Sequence, residues 1–355
     1  MPQLTSVPLA LAVFLVSAVA IWLAGVKLSF STDVMSTRLG LGEAMGGLIF
    51  LAIVTNLPEI AITVSAALHH DLGLAIGNIL GGIAIQTVVL VIMDVFGLGA
   101  VAALTYRAAS LTLVVEGLMV VAVLVVVLIG TQMPRSFVIL RMTPPVLLIG
   151  LLWLGGLWLV NKARRDLPWH NSGKAPDGQK LPRGGATEAR AKMAAARRIS
   201  LTRVVITFAA ASLVTLLAGV LLESSSETLA KQFGMQGVVF GATLLAAATA
   251  LPEVSTGLAA VKLGDYQLAV SDIFGGNAFL PVLFLLATLI SGEAVLPSAH
   301  KTDIYLTALG ILLTVVYMMG LIFRPKRQFL RMGMDSLAVL LLYGVGVVGL
   351  FFLAP

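Results

Sequence analysis

Glu59 and Glu253 are the side chains in this 355-residue sequence best suited to chemistry. Each is a carboxylate inside an apolar run, each directly follows a proline (Pro58, Pro252), and each has a threonine four residues before it, Thr55 and Thr249. Ionised carboxylates are costly in hydrocarbon, and where they occur they mark ion or proton pathways. The prolines sharpen that reading. A proline has no N–H to give, and its ring clashes with the carbonyl four residues back, so the carbonyls of Val54 and Ala248 are freed. A carbonyl freed within a membrane needs another partner, and a cation is a good one. The threonine hydroxyls, one helical turn from the glutamates, add oxygens. Carboxylate, carbonyl and hydroxyl oxygens without sulfur or imidazole describe a site for a hard cation such as Ca²⁺ or Na⁺. Two glutamates at one site neutralise one divalent or two monovalent cations, and protons compete with the cation for the same oxygens. A protonated glutamate that only holds helices together does not account for the same residue at the same place twice.

The recurrence extends well beyond the glutamates. Laying residues 55–87 over 249–281, an offset of 194, gives 12 identities in 33 positions without a gap. Shared apolar composition would match some Leu, Ala and Ile. It would not align two Pro-Glu pairs, Asp71 with Asp265, and Gly81-Gly82 with Gly275-Gly276.

Membrane helices must position these residues. Hydrophobic residues make up 59% of the chain and charged residues 11%, too little polar material to coat a water-facing surface. Ten apolar runs are each long enough for a membrane-crossing helix: 7–29, 42–68, 72–96, 108–130, 143–160, 201–222, 236–262, 266–291, 302–323 and 335–354. The first has no basic residues before it, so it reads as a span and not as a cleaved leader. The expected fold is an all-α polytopic membrane protein with ten transmembrane helices. A first five-helix repeat (1–160), a basic linker (161–200) and a second five-helix repeat (201–355) make up the chain. Five spans is an odd number, so the second copy enters the membrane upside down, the arrangement of secondary transporters with a site between copies at the midplane.

The linker holds ten Lys or Arg and three Asp or Glu. With it in the cytoplasm, 19 of the 23 basic residues lie inside and both termini lie outside, as the positive-inside rule requires. Because the basic residues sit in loops between spans, the net charge of +6 points to a lipid bilayer and not to nucleic acid. The short loops and lean linker favour a prokaryotic plasma membrane.

The strings VTNLPE (54–59) and ATALPE (248–253) resemble the GTSxPE-type signature of the two α-repeats in the sodium/calcium exchanger superfamily, the calcium/cation antiporters. GNILGG (77–82) and SDIFGGN (271–277) resemble the GN-x-x-GSN segment on its next helix. The resemblance covers the whole layout. It implies that Glu59 and Glu253 are the central cation ligands, and it brings Asn78, Gln86 and Asn277 into the candidate set. The chain departs from the family at several places. The usual serine before x-Pro-Glu is Asn56 and Ala250, the serine of GSN is Gly82 and Gly276, and the Asn or Asp found 27 residues after each glutamate is Gln86 and Leu280. Asp272 offers a compensating carboxylate. Helical spacing puts Asp272, Gly276 and Leu280 on one face, with Asn78, Gly82 and Gln86 on the equivalent face.

The expected function is a secondary active antiporter exchanging Ca²⁺ for Na⁺, with no cofactor beyond the transported cations. The alternatives are a Ca²⁺/H⁺ antiporter or a monovalent (Na⁺ or K⁺)/H⁺ antiporter. An enzyme is not expected: there is no Cys, no histidine within a span, and no G-x-S-x-G or H-E-x-x-H. Glu116 is mid-span without a repeat partner, which fits a proton pathway or a satisfied polar contact. Asp94 and Glu43 are expected at the interface. His69 and His70 are expected at the outer mouth, either solvated or pH-sensing.

Overall fold

The structure, a computed structural model, describes residues 6–39, 48–98, 102–134, 136, 142–165, 167–168, 199–235, 237–262 and 264–353. The chain is almost wholly helical. In order the helices are α1 (Val7–Leu39), α2 (Leu48–Thr55), α3 (Leu57–Leu68), α4 (Leu72–Ile92), α5 (Leu104–Ala108), α6 (Leu111–Thr131), α7 (Pro144–Arg165), α8 (Leu201–Gln232), α9 (Gly237–Phe240), α10 (Ala246–Thr249), α11 (Leu251–Lys262), α12 (Tyr266–Phe279), α13 (Leu283–Ser291), α14 (Lys301–Phe323) and α15 (Met334–Leu353). A two-residue hairpin, β1 (Gln328–Phe329) with β2 (Met332–Gly333), joins the last two helices.

Among the described residues eight helical stretches are long and apolar enough to cross a membrane. A further pair, Gly241–Thr249 with Leu251–Lys262, reaches that length as one span bent by 49° at Ala250. The run at 42–68 is divided in the same way, with α2 ending at Thr55, Asn56 in a turn and α3 beginning at Leu57. The first residues of that run lie outside the described ones. Two of the ten expected runs are therefore broken helices, and the cause is local. Pro58 and Pro252 sit in the first turn of the following helix, where a missing N–H costs nothing.

The elements keep the offset seen in the sequence. α1 and α8 begin 194 residues apart, as do α3 and α11, and α4 and α12. Asp71 caps α4 by accepting from Leu74 N at 3.1 Å, and Asp265 caps α12 by accepting from Leu268 N at 3.2 Å. Each satisfies an N–H that would otherwise be orphaned. The long helices α1 and α8 pack along each other, and each also leans on the broken helix of the other half, α1 on α11 and α8 on α3. The buried core lies among α4, α6, α12 and α14. α1, α7, α8 and α15 turn large apolar side chains outward, Leu15, Leu154, Leu217 and Phe352 among them, as a lipid-facing surface requires.

Asp94, expected near the interface, is fully buried within the protein and accepts from Leu104 N (2.8 Å), Gly333 N (2.6 Å) and Ser336 Oγ (2.8 Å). One carboxylate thereby ties α5, β2 and α15 to the end of the α4 span. Leu280 keeps the helical turn of Asp272 and Gly276, its N–H donating to Gly276 O, before Pro281 leads into a 3₁₀ segment, Leu280–Val282. Glu43 lies outside the described residues.

Candidate cation-binding site

The two helix breaks face each other. Glu59 and Glu253 stand in the first turns of α3 and α11, 0% and 1% exposed. They are close enough to interact electrostatically, and Glu253 also interacts with Asp272. The breaks put each glutamate beside the threonine of the opposite half, Thr249 against Glu59 and Thr55 against Glu253. Each hydroxyl gives its proton to the carbonyl three residues back, Thr249 to Ala246 O (3.1 Å) and Thr55 to Ala52 O (3.4 Å).

Gln86, on α4, links the two breaks. Its amide nitrogen donates to Asn56 Oδ1 at 3.1 Å and to Glu253 Oε1 at 3.3 Å, while Asn56 donates to Ala52 O at 2.6 Å. Gly276 packs against this pair. A Cβ at that position would lie 2.9 Å from Asn56 Nδ2 and 3.2 Å from Gln86 Oε1, so the serine usual in the family signature would require these two amides to shift.

Several buried oxygens here accept no hydrogen bond of normal geometry: both of Glu59, Oε2 of Glu253, Oε1 of Gln86 and Oδ1 of Asp272. Buried acceptors left unpaired are costly. A cation or a shared proton would satisfy such a cluster of oxygens. No three His, Asp or Glu among the described residues converge on one point. A cation between the glutamates would therefore draw on threonine, amide and carbonyl oxygens as well.

The remaining candidates stand further out. Asp272 accepts from Thr256 Oγ1 at 2.8 Å, and Thr256 bonds the Glu253 carbonyl at 3.2 Å. Asn277 donates to Thr87 Oγ1 at 3.3 Å, holding α12 to α4, and its own carbonyl oxygen is unpaired. Asn78 is fully buried on α4 with neither amide atom bonded. Val54 and Ala248 are buried directly before Thr55 and Thr249, four residues ahead of a proline that has no N–H to give their carbonyls. Sequence reasoning counted Asn56 only as a departure from a signature and passed over Thr256. Asn56, a polar residue at the motif position next to the proline, was the available signal.

Glu116 is one of the satisfied polar contacts: it pairs with Arg164 (3.0 Å) and accepts from Ser271 Oγ (2.5 Å). His70 contacts Glu293 at 2.8 Å, and His69 stands 3.9 Å from Glu223, a buried carboxylate that Ser65 also bonds.

Residues 9–160 and 203–352 each match the sequence model of a family described as "Sodium/calcium exchanger protein". The chain is 27% identical over 299 residues to the inner membrane protein YrbG of Escherichia coli (strain K12), covering 83% of this chain and 84% of that one. Its fold is similar to a crystal structure of the H⁺/Ca²⁺ exchanger CAX (TM-score 0.68, 13% identity, 96% of this chain and 82% of that one). It is also similar to the sodium-calcium exchanger NCX_Mj (TM-score 0.58, 17% identity, 97% and 99%).

Proposed function

Because the chain belongs to the sodium/calcium exchanger protein family, whose members are membrane cation exchangers, we propose that it is a secondary active antiporter exchanging Ca²⁺ for Na⁺ by alternating access. The observation that carries this reading is the meeting of Glu59 and Glu253 at two broken helices, buried and with unpaired oxygens. In this reading the glutamates are the central ligands. Thr55, Thr249, Gln86 and the carbonyls of Val54 and Ala248 complete the shell around them. Asp272 stands next to Glu253 as a third carboxylate, and Asn78 and Asn277 line the approach.

The proposed architecture is ten spans in two inverted five-helix repeats, with α2–α3 and α9–α11 each counted as one broken span. The equal offsets of the paired helices and the matching Asp71 and Asp265 caps support it. Both termini are placed outside and the linker 161–200 inside. Two contacts support that topology, since each joins loops assigned to one side: Arg324 donates to Tyr106 O at 3.1 Å on the inner side, and His70 meets Glu293 on the outer. A prokaryotic inner membrane is the proposed location, in keeping with the printed name of YrbG.

A second reading, Ca²⁺/H⁺ antiport, is favoured by the ligand count. Leu280, Gly82 and Gly276 leave fewer side-chain oxygens than several bound Na⁺ would need, whereas Asp272 adds a group that can carry a proton. Proteoliposomes loaded with Ca²⁺ and given either a Na⁺ gradient at fixed pH or a pH gradient without Na⁺ separate the two. Release driven by Na⁺ supports the first reading, and release by the pH gradient alone replaces it with the second. Neither release, with direct Na⁺/H⁺ exchange, would make the protein a monovalent cation/proton antiporter.

A further inference from the structure

A buried ion pair outside the cation site is built into one half of the chain only. Arg164, in the last turn of α7, donates to Glu116 Oε1 at 3.0 Å and to Ser271 Oγ at 3.2 Å. Ser271 in turn donates to Glu116 Oε2 at 2.5 Å. Glu116 is 6% exposed and Arg164 24%. The position 194 residues beyond Glu116 is Gly310, so the repeat does not reproduce the pair.

Glu116 and Ser271 also line a cavity of ≈ 40 Å³ between α6, α7, α12 and α2, whose other walls are largely apolar. Three features bring that cavity up to the cation site. Ala52 forms one wall, and its carbonyl takes the Asn56 amide. Gly275 forms another and adjoins Gly276, which packs on Asn56 and Gln86. Ser271 adjoins Asp272, the carboxylate beside Glu253.

We propose that Arg164 is a tethered counter-cation that closes the approach to the site from the α7 end. A guanidinium stays charged at any physiological pH, so while it rests on Glu116 it both occupies that carboxylate and repels a second cation. Removing it without replacement would leave Glu116 buried and uncompensated, which is strongly unfavourable. A cation that takes its place on Glu116 removes that penalty. Opening from this side is then conditional on the arrival of a cation. Arg164 acts through Glu116 and so is a positioning residue. The nature of the cation rests on the antiporter reading, but the closure itself does not.

The test reads access directly. The chain contains no cysteine, and a Cβ at Gly275 meets only Ala52 Cβ, at an ordinary 3.6 Å. Gly275→Cys is therefore a single reporter in the cavity wall. Sealed vesicles are treated from one side at a time with a membrane-impermeant, positively charged methanethiosulfonate. With Arg164→Gln, labelling should accelerate about tenfold, from the α7-end side only, because a repelling charge has been removed. With Arg164→Lys the rate should stay close to that with native Arg164, since one ammonium can serve both acceptors. Equal rates in all three backgrounds, or an equal rise from both sides, would overturn the proposal. If Arg164→Gln does not fold, Arg164→Gln combined with Glu116→Gln leaves no buried charge unpaired. The same one-sided rise is then expected from the cationic reagent, and its absence would overturn the proposal. Labelling does not depend on the cargo. A protein that carries no Ca²⁺ would sink the antiporter reading and leave this result standing.

Discussion

Gln86 donates to Glu253 across the boundary between the two halves of the chain, Nε2 to Oε1 at 3.3 Å. The same nitrogen reaches Asn56 beside the other helix break, so one side chain sets the distance between the breaks. Its counterpart in the second half is Leu280, which accepts and donates nothing. Gln86→Leu would make the halves alike, and we expect the apparent affinity for Ca²⁺ to fall about tenfold, the size of effect that losing hydrogen bonds to a charged group has. Vesicle flux over a range of Ca²⁺ concentrations separates KM from kcat. An unchanged KM would reduce Gln86 to a packing residue.

Glu59→Gln and Glu253→Gln should each nearly abolish cation exchange and leave a folded, monodisperse protein. The amide keeps the volume and removes the charge that binds the cation. Exchange at the native rate in both variants would reject the pair as the transport site.

Asp272→Asn should give a smaller defect, because Asp272 interacts with Glu253 and is held by Thr256. Protons and cations compete for carboxylates, so Ca²⁺ affinity in the native protein should weaken as the pH is lowered from about 8 to 5. With one carboxyl fewer to titrate, that dependence should become shallower in the variant. Parallel profiles would exclude Asp272 from the competition.

Topology can be read with single cysteines at exposed positions, Lys231→Cys at the end of α8 and Arg327→Cys before the hairpin. An impermeant reagent should label the first from outside and the second from the cytoplasm. Labelling of both from one face would be incompatible with five spans in each half.

Asp94→Ala should be among the most destabilising substitutions away from the site. It orphans the N–H groups of Leu104 and Gly333 and frees the Ser336 hydroxyl. Losses of this kind cost about 2–4 kcal/mol together. Thermal unfolding in detergent measures it, and a melting temperature equal to that of the native chain would show that the three groups find other partners.

The broken helices and the facing glutamates were legible in the sequence because proline acts locally and duplicated motifs are visible at a fixed offset. The side on which each threonine serves was not legible. Helical periodicity places Thr55 beside Glu59, and only the break at Asn56, with the other half packed against it, turns Thr55 toward Glu253 instead. The partners of Asp94 were not legible for a related reason: its place near a span's end says nothing of three donors that come from α5, β2 and α15. Arg164 looked like one more charge of a solvated linker, because its pairing with Glu116 joins residues 48 apart.

Glu59 and Glu253 sit in the opening turns of α3 and α11, where the unbonded N–H groups of a helix gather about half a positive charge. That field attracts negative charge, and it pushes back on a cation held between the two glutamates. A storage protein would gain from the tightest possible grip, but a carrier turns over only as fast as it lets go. Under the proposed antiport, breaking the helices beside the cargo gives each passenger a nudge toward departure, so the two kinks that create the seat would also help set the speed of the cycle.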